Sequence, residues 1–181
     1  MKHLFFALLT CAASSTLHAG MTVLINAADA QKITAPMRLV KLNDTDTEKP
    51  AKPVAGAADE TYLEIPQGAG KPPEAAGDAS FSFTVDKKGT YYLWARVWWT
   101  DGCGNSIGVS IDDGKAFILG QDATYKQWHW VKVKGRLSQL NLDAGDHVLT
   151  LSNREDGVAI DQILLTRNTR YVPVGIEKNS P

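Results

Sequence analysis

The sequence predicts an all-β fold, an antiparallel β-sandwich or barrel, on three observations. Apolar and polar residues alternate through almost every segment after the N-terminal stretch, the period-2 pattern of half-buried antiparallel strands. Turn pairs close the alternating runs at Lys88-Gly89, Asp113-Gly114, Ala144-Gly145 and Asp156-Gly157, each with a glycine free to adopt turn angles. No stretch carries sustained helical periodicity with a proper cap, and Ala27 to Lys32 has room for one turn only.

About ten strands follow from that reading. Thr22 to Asn26 is a short β-branched run, and Arg38 to Leu42 and Thr61 to Pro66 alternate polar with aliphatic or aromatic residues. Ser80 to Asp86 places Phe81, Phe83 and Val85 on one face, and Thr90 to Trp99 is a long aromatic run. Asn105 to Asp112 and Ala116 to Leu119 flank Asp113-Gly114; Trp128 to Lys134, Asp146 to Asn153 and Ala159 to Thr166 complete the set. Short strands at regular spacing argue for a sandwich or barrel. Asn43 to Asp59, rich in Pro, Ala, Asp and Lys, is expected to be a long surface loop, Gln67 to Gly77 another loop, and Gly175 to Pro181 a frayed tail.

Length and charge bound the function. A chain of 181 residues, 44% hydrophobic, buries one sizeable core, so residues 20–181 are expected to form a single domain. With 19 Lys+Arg against 20 Asp+Glu, it has no electrostatic footprint for nucleic acid or an anionic membrane. Residues 1–19 read as an export signal: Lys2 and His3, the apolar run Leu4 to Leu9, and a cleavage pattern at Leu17-His18-Ala19. The expected destination is therefore secreted or periplasmic. That run is too short to span a bilayer, and no other segment reaches the roughly 20 apolar residues of a membrane helix. Cys11 falls inside the signal and leaves Cys103 alone, so no intramolecular disulfide is expected.

The aromatic residues gather in two segments. In Thr90 to Trp99, Tyr91, Leu93, Ala95, Val97 and Trp99 share the inward face, and Tyr92, Trp94, Arg96 and Trp98 share the outward one. In Trp128 to Lys134, His129, Val131 and Val133 face inward, with Trp128, Trp130, Lys132 and Lys134 outward. A sugar offers a weakly apolar C–H face ringed by hydroxyls, so a site for it needs aromatic platforms with polar groups at the rim. The platforms would be Trp98, Trp128 and Trp130. The rim would be Asp101, Asn105, Asn153, Arg154 and Glu155, from the loops beside those strands. The other reading of the outward rings is that they cover the sheet beneath a long loop, with Arg96 stacked between them.

Asp161 shares parity with Ile163 and Leu165 and is expected to point toward apolar surroundings. An unpaired carboxylate there is costly. It calls for a cation, an Arg or several N–H donors, or a hydrogen-bonded place at a strand end; calcium suits a carboxylate backed by carbonyls. Catalytic chemistry is thinly supplied. His129 and His147 share parity with core residues and read as structural, Glu155 and Asp156 are adjacent and do not converge, and zinc-ligand spacing and a phosphate-cradling Gly loop are both missing from the sequence.

These residues carry a resemblance. Val23-Leu24-Ile25-Asn26-Ala27-Ala28-Asp29-Ala30, Thr61-Tyr62-Leu63-Glu64-Ile65-Pro66, Gly89-Thr90-Tyr91-Tyr92-Leu93, Val109-Ser110-Ile111-Asp112-Asp113-Gly114, Ala144-Gly145-Asp146-His147-Val148-Leu149 and Ile160-Asp161-Gln162-Ile163 together resemble a carbohydrate-binding module of the family 6 and 35 type. The resemblance implies a galactose-binding-like jelly-roll sandwich and a carbohydrate partner bound without catalysis, in a loop cleft or on a sheet face. It also implies a structural calcium between acidic residues near the first strand and an Asp near the last. Asp161 stands at that last position; the first strand has Asn26 and Ala28 where glutamates belong, so either Asn26 or Asp29 stands in or the site is lost. The alternative function is a structural or adhesive subunit that self-associates through exposed aromatics. Neutral and acidic glycans both remain open, Arg154 being a potential partner for a uronate.

Overall fold

A computed structural model of the chain describes residues 22–43 and 54–178. The export signal and Cys11 lie outside the described residues, as do residues 44–53 of the expected surface loop. The described strands are β1 (Thr22–Asn26), β2 (Lys32–Ile33), β3 (Arg38–Lys41), β4 (Thr61–Ile65), β5 (Asp78–Val85), β6 (Gly89–Trp99), β7 (Ser106–Ile111), β8 (Phe117–Gly120), β9 (His129–Lys132), β10 (Leu140–Leu142), β11 (Gly145–Ser152) and β12 (Val158–Thr166). The ten expected runs all form strands with bounds shifted by a residue or two. β2 and β10 are too short for alternation to reveal.

Two antiparallel sheets face each other, the expected β-sandwich. In the seven-stranded sheet β6 and β12 are central, paired from Val158↔Trp99 to Thr166↔Tyr92. The other edge of β12 takes β4 along its first half and β1 along its second. β9 and β10 flank β6, and β3 lies beyond β4. The five-stranded sheet runs β2-β5-β11-β7-β8. β12 is buried at every position because both its faces are covered, which is why its sequence is nearly continuously apolar. Parity in β6 holds: Tyr91, Leu93, Ala95, Val97 and Trp99 all enter the core between the sheets, with Phe81, Phe83, Leu149 and Leu151 opposite.

Parity fails once, at a bulge between Ile160 and Gln162. Ile160 and Ile163 both enter the core, and a bulge sets two residues against one on the neighbouring strand. Asp161, expected on the inner face with Ile163 and Leu165, therefore lies with Gln162 on the outer face of the seven-stranded sheet.

That outer face is not left to solvent. Val54 to Ala58 form a strap over a second apolar cluster of Val40, Ala57, Tyr62 and Ala159, against which Trp98 and Trp128 pack. The chain after β12 covers the adjoining strip. Gln162 exchanges hydrogen bonds with the backbone of Glu177, 2.9 Å each way, and the Tyr171 hydroxyl donates to Glu177 Oε2 at 2.8 Å. The described part of the tail, up to Lys178, is thus tied down rather than frayed.

Candidate functional site

At the sandwich end where β6 and β11 finish and β7 and β12 begin, four loops interlock: residues 66–77, 100–105, 121–128 and 153–157. Asp156 Oδ2 accepts the N–H groups of Gly68 (3.1 Å) and Gly70 (2.8 Å). Asn153 Nδ2 donates to the carbonyls of Gly70 and Ala75, and its own N–H to Gly77 O at 2.7 Å. Glu155 Oε2 accepts from the Asn105 N–H (3.1 Å) and the Ser106 hydroxyl (2.6 Å), and its Oε1 pairs with Arg154 Nη1, which also reaches Ser106 Oγ. Asn105 Nδ2 donates to Asp122 O at 3.2 Å. Asp101 Oδ1 caps its own turn, accepting from Cys103 and Gly104.

Two glycines make the interlock feasible. A Cβ on Gly104 would lie 2.3 Å from Asp156 O, so only glycine lets those two loops touch. Gly157, at φ 73°, donates its N–H to Ile65 O and accepts both the N–H and the hydroxyl of Thr100. The expected rim residues Asp101, Asn105, Asn153, Arg154 and Glu155 are thus assembled at one end. Asn153, 5% exposed, is a clasp for the 66–77 loop.

The expected indole platforms go elsewhere. Trp98 and Trp128 are a cross-strand edge-to-face pair on the outer face of the seven-stranded sheet, 6.1 Å between centroids. Trp128 packs edge-on against Tyr62, lies 5.0 Å from Arg96 Cζ, and donates its Nε1–H to Ala55 O at 2.9 Å. Trp130 donates Nε1–H to Gly175 O at 2.9 Å, under the tail. The outward parity was right; the three rings are half-buried, and strap and tail backbone bonds the indole N–H groups of Trp128 and Trp130, as the second reading of them expected.

The exposed ring at the loop end is one the sequence argument passed over. Tyr125 is 38% exposed, and its hydroxyl would lie 3.4 Å from a Cβ placed on Gly102. The signal was available: Gln121 to Gln127 has no apolar alternation, so an aromatic residue there has no strand face to pack. Behind it, His129 contacts Asp122 through Nε2 at 3.1 Å and packs edge-on against Trp99. At the other end of β11, His147 stacks on Phe83 and lies 2.8 Å from Asp112 Oδ2. Each histidine supports packing.

Beneath the strap, Asp161 pairs with Arg96 through Nη1 and accepts the Ala58 N–H at 2.7 Å, while Arg96 Nη2 donates to Gly56 O at 3.1 Å. Burial pushes the Asp161 carboxyl up to about 6, against the opposing pull of the Ala58 N–H and Arg96. This arrangement does not fit the calcium expected between Asp161 and Asn26. The Asp161 oxygen that is engaged already faces a guanidinium, and the Asn26 carboxamide oxygen accepts from Gln162 Nε2 at 2.9 Å. No cluster of three or more His, Cys, Asp or Glu suited to a metal occurs among the described residues.

No protein-family model matches the sequence. Over 109 residues, 52% of this chain, it is 30% identical to an uncharacterized protein of Formosa agariphila and spans about a quarter of that protein's length, 26%. Among solved structures it is similar to the GH26-CBM35 β-(1,4)-mannanase of Podospora anserina, with TM-score 0.60, 18% identity, and coverage of 88% of this chain and 30% of that one. It is also similar to a family 35 carbohydrate-binding module from Clostridium thermocellum, with TM-score 0.56, 15% identity, and coverage of 80% and 96%. The C-terminal CBM6 of a marine laminarinase from Zobellia galactanivorans matches at TM-score 0.53 and 16% identity, covering 81% and 99%. At these identities the likeness establishes architecture: the chain has the β-sandwich fold of family 35 and family 6 carbohydrate-binding modules.

Proposed function

We propose that this chain binds carbohydrate without transforming it, at the interlocked loop end, after export from the cytoplasm. The observation that carries the reading is Tyr125, an exposed ring set beside Gly102 on loops whose backbone is fixed by Asp101, Asn153, Glu155 and Asp156. A pre-fixed rim reduces the ordering cost that limits weak polar ligands, and an amphipathic ring supplies the apolar platform a sugar face needs. The fold shared with family 35 and family 6 carbohydrate-binding modules supports the same ligand class.

The charge at this end favours an uncharged glycan. Asp101, Asp122, Glu155 and Asp156 outnumber Lys126 and Arg154 in residues 100–105, 121–128 and 153–157, and the Arg154 guanidinium is engaged by Glu155 and Ser106. A uronate would meet more carboxylates than cations in these loops, with Arg154 Nη1 already taken by Glu155 and Ser106. Titration calorimetry of the full chain against neutral and uronate polysaccharides is expected to give a Kd of about millimolar to micromolar for a neutral member only. Binding that survives Tyr125→Ala unchanged moves the site off the loop end, and release of reducing ends from any polysaccharide replaces binding by catalysis. Self-association, the second reading, draws on exposed Val172, Val174 and Ile176 and predicts a sedimentation coefficient that rises with concentration without sugar.

A further inference from the structure

We infer that Arg96 takes the place of a bound metal ion in this sandwich: its guanidinium neutralises the buried carboxylate of the last strand and holds the strap to the sheet, so the fold needs no divalent cation. The Asp161 side chain is 0% exposed and that of Arg96 8%. A carboxylate so placed demands a permanent positive charge, and a guanidinium supplies one at every physiological pH.

The three contacts of Arg96 do what a coordinated ion does when it gathers oxygens from separate segments. Nη1 meets Asp161 on β12, Nη2 meets Gly56 O on the strap, and the guanidinium carbon lies 5.0 Å from the Trp128 ring centroid. The Ala58 N–H closes the same carboxylate oxygen from the strap side at 2.7 Å. Of that carboxylate only Oδ1, buried and without a hydrogen-bond partner, is left unengaged, against the six to eight oxygens that calcium takes. A divalent ion at that oxygen would also be repelled by the guanidinium beside it. The bulge at Ile160/Gln162 is what makes the exchange possible, because it turns Asp161 onto the face that Arg96 occupies.

The test is thermal unfolding of the full chain with EDTA, without additions, and across a calcium titration. The inference expects wild-type melting temperatures equal to within about 1 °C in all three, since a ligand bound only by the native state must raise Tm with its concentration. A fall of more than about 3 °C in EDTA, or a saturable rise with calcium, overturns it. Arg96→Met is expected to lower Tm by roughly 10 °C, because it strands a buried carboxylate. R96M/D161N should lose less than the sum of its single variants. An Arg96→Met variant that melts with the wild type also overturns the inference. If Arg96→Met does not fold, the wild-type cation titration decides, with Arg96→Lys expected to recover part of the stability.

Discussion

At the strap face, the side chains of Tyr62, Arg96, Trp128 and Asp161 all bond the backbone of residues 54–58; at the loop end, Asp101, Glu155 and Asp156 bond backbone N–H groups of their own and neighbouring loops and leave Tyr125 facing solvent. Both regions combine aromatic rings, carboxylates and an arginine. They differ in whether chain returns to cover the rings. Where it does, the Trp128 and Trp130 N–H groups find carbonyls and the rings become packing surface. Where it does not, the ring stays available to a ligand while the polar groups beneath it fix its setting.

The comparison predicts stability effects at the strap face and affinity effects at the loop end. The largest is Asp161→Ala, which strands a buried guanidinium and is expected to cost about 3–5 kcal/mol in urea unfolding. Trp128→Ala removes edge contacts with Tyr62 and Trp98, the Arg96 contact and the Ala55 hydrogen bond, and should cost about 2–3 kcal/mol because the ring is only half-buried. A folded Trp128→Ala that keeps its stability but loses sugar would reverse the assignment of the two regions. Tyr125→Ala should do the opposite. Its stability should stay within about 0.5 kcal/mol of wild type, while affinity for the neutral glycan falls at least about tenfold, or about 1.4 kcal/mol.

How far these regions could be read in the sequence follows from the range of the signals. β5 announced itself through Phe81, Phe83 and Val85, and β6 through its two aromatic faces, because alternation is a local signal that each strand carries by itself. Asp161 was legible as a buried carboxylate needing a cation or donors, but its face was not. A bulge inserts one residue without leaving a mark in the alternation of β12. The cover over Trp128 and Trp130 was illegible for another reason. It comes from Ala55, more than seventy residues upstream, and Gly175, forty-five downstream, and neither segment has a periodic pattern. At the loop end the gathering of Asp101, Asn105, Asn153, Arg154 and Glu155 was legible from adjacency to strand ends. The rings expected beside that rim lie on the sheet face instead, and Tyr125 was passed over because large outward rings on strands outweighed a single ring in a loop.

The smallest expected effect offers a control for both regions. His147 and Asp112 lie at the opposite end of β11 from the loops, with Asp112 49% exposed, so their pairing should touch neither the strap nor the sugar. The hydrogen bond that His147 donates to Asp112 holds the imidazolium above its ordinary pKa of 6.5, helped by the Asp143 carbonyl against the opposing effect of burial. Against the upward push of its own partial burial, the His147 hydrogen bond and the Val148 N–H hold Asp112 below 3.8. A raised folded pKa contributes stability that is complete below pH 6.5 and lost as pH rises through the folded value of His147. A lowered one contributes above pH 3.8 and is lost as pH falls through the folded value of Asp112. The pair is therefore most stabilising between about pH 4 and 6.5, by about 1 kcal/mol or less for a partly exposed contact. Urea midpoints should decline from pH 6 to pH 8.5, the decline should shrink in His147→Gln to the part that Asp161, titrating at about 6, contributes below about pH 7, and glycan affinity measured across the same range should not follow the His147 part. An affinity that tracks His147 would mean that the two ends of the sandwich are coupled through β11, and the separation of stabilising face from binding end would fail there.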